Sequence, residues 1–186
     1  MAFLAAPVNV SKPSPRATIC LPTLNGAADL RRLLPALARQ QPAGAYEIVA
    51  TDSSSTDGTR ELLAAAGASV EVIAKSDFGH GKTRNALAAR AKGEILVFLS
   101  QDVEPTDEHF LARLLEAFDD PRVAGAYSRV LPRPDCDPLT SRTALEAQEA
   151  SDEASERSLD GVGTVERLSG AQRADYLRFN NVASAI

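Results

Sequence analysis

The sequence predicts an α/β protein built on a doubly wound, mainly parallel sheet with helices on both faces. Short apolar runs alternate with segments of helical periodicity along residues 17–131. The run at residues 94–99, EILVFL, is almost wholly apolar and stops at Ser100, Gln101 and Asp102, as a buried parallel strand does. Because parallel strands are joined by crossover helices, this alternation implies right-handed β-α-β units.

Five strands are expected, each a short run rich in apolar residues and bounded by polar residues, glycine or proline. They lie at residues 17–21, 46–51, 69–74, 94–99 and 123–130.

Four helices are expected between these strands, at residues 27–40, 56–66, 82–92 and 106–118. Leucines recur at helical spacing in the first of them. Thr56 suits the N-cap of the second, and Gly67 and Gly93 follow the second and third as helix stops.

The alternation weakens after Leu131. Three prolines between residues 132 and 138 predict a loop, and the acidic residues 140–160 predict either a solvated helix or a mobile segment. A short strand at residues 162–168 and a helix at residues 171–179 are expected beyond it.

Composition narrows the class of protein. The chain has 186 residues, 44% of them hydrophobic, and a net charge of −5, which disfavours general binding to nucleic acid or to anionic membranes. No apolar run is long enough to span a bilayer, and residues 1–16 read as a flexible arm rather than a signal peptide. Cys20 falls in a strand and Cys136 in a proline-rich loop, so neither a disulfide framework nor a zinc site is expected. A reducing, cytoplasmic location follows.

Polar or glycine-rich stretches follow the first four strands, and we expect all four at one edge of the sheet. They include PTLNG after the first strand, TDSSSTDG at the end of the second and the acid Asp102 after the fourth. Hydroxyls, a glycine-rich loop and the carboxylates of Asp52 and Asp102 suit a nucleotide site with a divalent cation. The alternative is local: Asp52 caps a turn, and residues 100–102 only reverse the chain.

The loop and helix after the third strand are basic in an acidic chain. They contain one acid, Asp77, among six basic residues: Lys75, His80, Lys82, Arg84, Arg90 and Lys92. A helix beginning near Lys82 places Arg84 in its first turn, where a guanidinium and free N–H groups suit an anion. The alternative is a basic face that only keeps the protein soluble.

One stretch is close to a phosphate loop, but it departs from that motif. Residues 76–83, SDFGHGKT, carry Ser76 at the first glycine position and follow the third strand. A nucleoside triphosphatase is therefore a less favoured alternative.

Taken together, these segments resemble the family 2 glycosyltransferases, which have the GT-A fold. The matching segments are ICLPTLNG at the first strand, TDSSSTDGT at the second, GKTRN in the basic helix, GEILVFLSQD at the fourth strand and NNVASA at residues 180–185. Within the family, FGHGKTRN, SQDVEP and LPRPD are similar to the bacterial rhamnosyltransferases. That branch implies dTDP-rhamnose, or a UDP-sugar, as donor and a cell-surface polysaccharide as product.

The resemblance also implies roles for single residues. The nucleotide-sugar would contact Pro22, Thr23, Asn25, Asp52, His80, Gly81, Arg84, Gln101 and Asn181. Asp102 would hold Mg²⁺ or Mn²⁺ against the diphosphate, although the first acid of the usual D-x-D motif is Ser100 here.

The resemblance implies an inverting transfer to a glycan or lipid-linked acceptor, at the inner face of a membrane but without a span in this chain. The carboxylate base of that reaction would follow Ile186, so no catalytic residue is assigned. We expect a nucleotide-sugar-binding core at residues 17–131 and an incomplete start of the acceptor side at residues 132–186. A non-catalytic nucleotide-binding module is the alternative, and the oligomeric state stays open.

Overall fold

The computed structural model describes residues 14–41, 46–146 and 183–186. Six strands form one sheet in the order β3-β2-β1-β4-β6-β5. The strands are β1 (Ala17–Thr23), β2 (Tyr46–Asp52), β3 (Ser69–Val72), β4 (Ile95–Leu99), β5 (Ala126–Tyr127) and β6 (Ala183–Ala185). The helices are α1 (Ala27–Ala38), α2 (Thr59–Ala65), α3 (His80–Arg90), α4 (Phe110–Glu116) and α5 (Pro138–Glu146), with 3₁₀ turns at Lys75–Asp77 and Ala117–Asp119.

The four strands β3, β2, β1 and β4 are parallel, which confirms the expected sheet. Thr23 at the end of β1 pairs with Asp52 at the end of β2, and Asp52 pairs with Val72 at the end of β3. The carboxyl ends of the parallel strands therefore lie together at one edge of the sheet.

Helices cover both faces of the sheet, as the sequence predicts. Ile19 of β1 and Val97 of β4 point to one face, where they pack with the leucines of α1, α2 and α4. Cys20 of β1 and Phe98 of β4 point to the other, where they pack with Leu87 of α3. Because strand side chains alternate between faces, each central strand contributes to both cores.

Gly93 lets the chain enter β4 close to the start of β1. A Cβ atom there would overlap the backbone of Ala17 and Thr18. The Gly93 N–H donates to the hydroxyl of Thr18 at 2.9 Å, so the contact is also polar. Any larger residue would force β1 and β4 apart at their amino ends.

The expected fifth strand at residues 123–130 is wrong in length. Only Ala126–Tyr127 is a strand, and it pairs with β6. β6 runs antiparallel to both β4 and β5 and lies between them. The sequence pattern did not predict β6, because its three residues, Ala-Ser-Ala, are too few and too small to show the pattern of a strand.

Several element ends differ from the predictions. α2 begins at Thr59, three residues later than expected, because Gly58 precedes it in the left-handed region at φ +93°. α3 begins at His80, two residues earlier than expected, which places Arg84 in its second turn. β3 ends at Val72 and α4 is confined to Phe110–Glu116.

The segment after Leu131 is partly described. Residues 138–146 form α5, so the acidic stretch begins as a helix. The strand expected at residues 162–168, the helix expected at residues 171–179 and most of the arm at residues 1–16 lie outside the described residues. In the described part of the chain, no helix combines the length and apolarity needed to cross a bilayer.

Candidate functional site

A cleft of about 700 Å³ opens at the carboxyl edge of the parallel strands. Its lining draws on the loops after β1, β2, β3 and β4, on the first turn of α1 and on the first two turns of α3. The lining residues are Pro22, Thr23, Leu24, Asp29, Ser53, Lys75, Phe78, His80, Arg84, Ser100, Gln101 and Asp102. The four strand ends thus meet at one cleft, and five of the nine residues that the resemblance assigns to the nucleotide-sugar line it together with Asp102.

Asp52 lies beneath the cleft and does not line it. Its side chain is fully buried, and both carboxylate oxygens accept hydrogen bonds. The Thr23 hydroxyl donates to Oδ2 at 3.0 Å, the Ser55 hydroxyl donates to the same oxygen at 2.5 Å, and the Ser55 N–H donates to Oδ1 at 2.8 Å. In this arrangement the carboxylate fixes the loops after β1 and β2. The neighbouring Ser53, which sequence reasoning did not single out, is the β2-end residue that lines the cleft.

Asn25 joins the same two loops. It is one of two described non-glycine residues with positive φ, at +47°. Its N–H donates to the Ser55 hydroxyl at 2.7 Å, and its side-chain oxygen accepts from the Thr56 N–H at 3.0 Å. These bonds explain why an asparagine stands there, since Asn tolerates the left-handed region and its short side chain bonds locally. Asn25 does not line the cleft, and its contact with a nucleoside stays a prediction.

Asp57 extends this loop network to the N-termini of two helices. Its carboxylate accepts from the Thr59 hydroxyl and N–H at the start of α2, and from the Ala27 N–H at the start of α1. The Thr59 hydroxyl and then the Ala27 N–H lower the pKa of Asp57 below its ordinary value, since both favour the charged form. Asp57, rather than the expected Thr56, therefore bonds the start of α2, and its bond to Ala27 joins segments that sequence spacing alone does not show to be neighbours.

Gln101 connects the loop after β4 to the loop after β1. Its side-chain oxygen accepts from the Leu24 N–H at 2.9 Å, and its NH₂ donates to the Leu24 carbonyl at 3.2 Å. The amide lies directly over Gly26, where a Cβ atom would come within 2.5 Å of its oxygen. Gln101 therefore holds one wall of the cleft against another.

The loop after β3 and the start of α3 form the basic wall of the cleft. Lys75, His80 and Arg84 line it. The His80 ring meets Phe78 edge-on, with centroids 5.1 Å apart and planes at 76°. The Arg84 guanidinium carbon lies 5.6 Å from the centroid of the Phe98 ring, within the range of a cation–π contact.

Gly81 and Lys82, the glycine and lysine of the phosphate-loop-like stretch, do not line the cleft. Both lie exposed in the first turn of α3. Thr83, the third residue of that motif, is buried, and its hydroxyl accepts from the Gly79 N–H at 3.4 Å. These positions do not favour the triphosphatase alternative, because its glycine and lysine lie away from the cleft.

Asp102 is exposed at the cleft, two residues after Ser100. Among the residues that the structure describes, no group of three His, Cys, Asp or Glu side chains could hold a metal ion. Mg²⁺ is nevertheless often bound by one or two carboxylates together with substrate phosphates. The residues present therefore fit a cation shared with a diphosphate, and Asp102 would hold it. Asn181, assigned to the sugar, lies outside the described residues.

The comparison that decides the family covers most of the chain. The model of glycosyl transferase family 2 matches residues 18–170. The chain belongs to glycosyl transferase family 2. The match confirms the resemblance seen in the sequence.

Two curated relatives of this family 2 chain are O-antigen chain rhamnosyltransferases. WbaN of Salmonella anatum is 37% identical over 129 residues, which cover 67% of this chain and 40% of WbaN. RfbN of Salmonella typhimurium is 33% identical over 124 residues, which cover 66% of this chain and 39% of RfbN. The chain thus spans about two fifths of the length of the curated relatives that it matches.

Solved structures show the same GT-A fold. The mannosyltransferase PcManGT of Pyrobaculum calidifontis, solved in complex with GDP-Man and Mn²⁺, aligns with a TM-score of 0.55 at 25% identity and covers 75% of this chain and 42% of its own. S. aureus TarS 1-349, solved in complex with UDP-GlcNAc, aligns with a TM-score of 0.54 at 22% identity and covers 66% of this chain and 37% of its own. The second likeness bears on the fold alone.

Proposed function

We propose that the chain binds a nucleoside-diphosphate sugar and forms the donor side of an inverting glycosyltransferase that acts on a cell-surface glycan. One observation carries the proposal: a single cleft at the carboxyl edge of the sheet combines a basic wall with an exposed carboxylate, Asp102. Ligands of open α/β sheets bind at this edge. A diphosphate that links a nucleoside to a sugar needs both features: cations that pair with its charge and a carboxylate that holds its metal.

Each side of the cleft has a distinct role in this proposal. Arg84 and Lys75 would bind the diphosphate, because a guanidinium and an ammonium pair well with phosphate oxygens. Asp102 would hold Mg²⁺ or Mn²⁺, which when bound would offset the charge that builds on the departing nucleoside diphosphate. Thr23 and Ser53, at adjoining strand ends, would face the nucleoside.

Asp52 takes a different role in this proposal from the one the resemblance implied. Its carboxylate is buried under the hydroxyls of Thr23 and Ser55. We propose that it shapes the nucleoside end of the cleft by fixing these loops and does not itself contact the base.

The donor sugar is proposed from the relatives. Both curated relatives carry the name of O-antigen chain rhamnosyltransferase. We therefore propose dTDP-rhamnose as the donor and a glycan or lipid-linked acceptor. The donor carries a charged diphosphate, which does not cross a bilayer unaided, so we place the reaction on the cytoplasmic side, peripheral to the membrane.

Calorimetry on this chain tests the donor site. dTDP, UDP and GDP are titrated separately, with and without Mn²⁺. We expect one diphosphate to bind most tightly and Mn²⁺ to strengthen that binding. Equal binding of all three without any effect of Mn²⁺ would favour a nucleotide-binding module without sugar transfer, and no binding at all would refute the proposal.

Three variants locate the binding within the cleft. Arg84→Ala should weaken diphosphate binding with or without metal, and Asp102→Asn should remove the effect of Mn²⁺. Lys82→Ala is the matched control, because Lys82 is exposed in the same helix but does not line the cleft. A loss of binding in the control, with retention in Arg84→Ala, would instead support the phosphate-loop alternative.

A further inference from the structure

The LPRPD segment, residues 131–135, holds one arginine between two prolines. A proline ring disfavours the helical region for the residue before it, so Pro134 keeps the backbone of Arg133 extended. The Cys136 N–H donates to the Arg133 carbonyl at 3.0 Å, which closes a turn with Pro134 at the position that proline favours. The backbone that carries Arg133 is therefore fixed before its side chain makes any contact.

The Arg133 guanidinium reaches the cleft from outside. Its Nη1 donates to the backbone carbonyl of Asp102 at 3.2 Å. The same nitrogen lies 3.8 Å from Oδ1 of Asp29, in the first turn of α1, and Nε lies 3.5 Å from Oδ1 of Asp135. Arg133 is not itself among the lining residues, whereas Asp29 and Asp102 both are. One side chain thus ties the loop after β4 to α1 and to its own turn.

We propose that Arg133 is a positioning residue that holds the Asp102 loop so that its carboxylate can bind a divalent cation; this rests on the proposed function. Asp102 needs such support more than the acids of a two-carboxylate site do. Ser100 stands in place of the first acid, so one carboxylate carries the site, and it is exposed on a loop. Residues that orient metal ligands from behind typically change metal affinity by about 10–100-fold when they are replaced.

A purely electrostatic role of Arg133 predicts the opposite change in Mn²⁺ affinity when the residue is removed. Arg133 is a cation close to the place where Mn²⁺ would bind. If only its charge mattered, its removal would relieve repulsion and tighten Mn²⁺ binding. If it positions Asp102, its removal weakens Mn²⁺ binding. Arg133→Lys separates the two further, because it keeps the charge but loses the planar group whose Nη1 meets the Asp102 carbonyl and Asp29 while its Nε lies near Asp135.

The test measures Mn²⁺ binding in the presence of saturating dTDP. Free Mn²⁺ is counted by electron paramagnetic resonance, and a protein-free titration corrects for Mn²⁺ held by dTDP alone. For Arg133→Ala and Arg133→Lys we expect Mn²⁺ affinity to fall by about tenfold, at the lower end for supporting residues because Arg133 acts through a backbone carbonyl. Metal-free dTDP binding, measured by calorimetry, should stay unchanged. Arg122→Ala is the matched control, because Arg122 is an exposed arginine paired with Asp120 that does not line the cleft.

Each other outcome is decisive. Tighter Mn²⁺ binding in Arg133→Ala, or wild-type binding in Arg133→Lys, would overturn positioning in favour of charge. Unchanged Mn²⁺ binding in both would overturn the proposal outright, as would a fall in melting temperature above about 4 °C, which would make Arg133 a support of the fold. If the wild-type chain binds no dTDP under any condition, the proposed function fails first and this inference fails with it.

Discussion

Replacing Asp52 by alanine should cost the fold more than any other change at the carboxyl edge. The substitution removes a fully buried carboxylate that accepts three hydrogen bonds from Thr23 and Ser55. Each hydrogen bond to a charged group contributes about 1.5–3 kcal/mol. Loss of the carboxylate also removes its own desolvation cost, so we expect a net loss of about 3 kcal/mol in the free energy of unfolding. For a chain of this length that lowers the melting temperature by about 6–12 °C.

Thermal unfolding followed by circular dichroism measures this loss, with two further variants. Asp52→Asn keeps the volume and one acceptor, and rotation of the hydroxyls lets its NH₂ find a partner, so we expect a loss of about 1 kcal/mol. Asp77→Ala removes an exposed acid of the 3₁₀ turn and should leave stability unchanged. If Asp52→Ala melts within about 2 °C of the wild type yet no longer binds nucleotide, the carboxylate serves the ligand directly and the structural role is refuted.

Three further predictions concern other parts of the chain. Gly93→Ala should destabilise the protein by about 3 kcal/mol, because its Cβ would overlap the backbone of β1; urea denaturation measures the loss, and a change below about 1 kcal/mol would contradict it. Gly81→Ala should instead raise stability by about 0.5–1 kcal/mol, since open space surrounds this helical position, and it should weaken dTDP binding if the ligand contact predicted for Gly81 is right. Burial raises the pKa of the Cys20 thiol to about 12, so a thiol reagent at neutral pH should titrate Cys136 in the native protein and both cysteines only after unfolding; two fast native thiols would refute this.

The fall in stability at acid pH gives a fourth test, which concerns the hydrogen bonds of Asp57. The folded-state pKa of Asp57 lies below its ordinary value of 3.8, so its contribution is present above that value and is lost as pH falls through the folded-state pKa. Asp57→Ala should therefore flatten the fall in melting temperature between about pH 5 and pH 2. If the melting temperature of Asp57→Ala falls with pH as steeply as that of the wild type, the bonds from Thr59 and Ala27 to Asp57 do not persist in solution.

Local patterns predicted the parallel part of the fold because buried parallel strands and amphipathic helices have periods that short windows reveal. β1, β2 and β4 lie within two residues of their expected ends. The helix starts were less predictable. Thr56 is a good N-cap by type, but α2 begins at Thr59, whose N–H donates to Asp57. The Asp57 carboxylate also accepts from the Ala27 N–H at the start of α1, and that contact depends on two distant segments meeting.

The sequence predicted where the site lies in the fold, but only some of the contacts within it. Strand ends located the cleft, and the basic excess of one loop located its wall, because both signals are local. The burial of Asp52 could not be predicted, since it follows from hydroxyls of two loops converging on one carboxylate. Ser53 was missed for a related reason: a serine within a run of three carries no signal of which one faces the cleft. The roles of the assigned residues stay predictions.

β6 gives the sheet an unusual order of assembly. Val97 of β4 pairs with Ala185, and β5 has β6 as its neighbour in the sheet, so one side of β4 has no strand beside it until this late segment has been synthesised. Until then the hydrogen-bonding groups on that side of β4 are open to strands of other chains. Fragments that stop short of residue 183 lack the strand that covers this side of β4. We therefore expect them to aggregate more during expression than the 186-residue chain does.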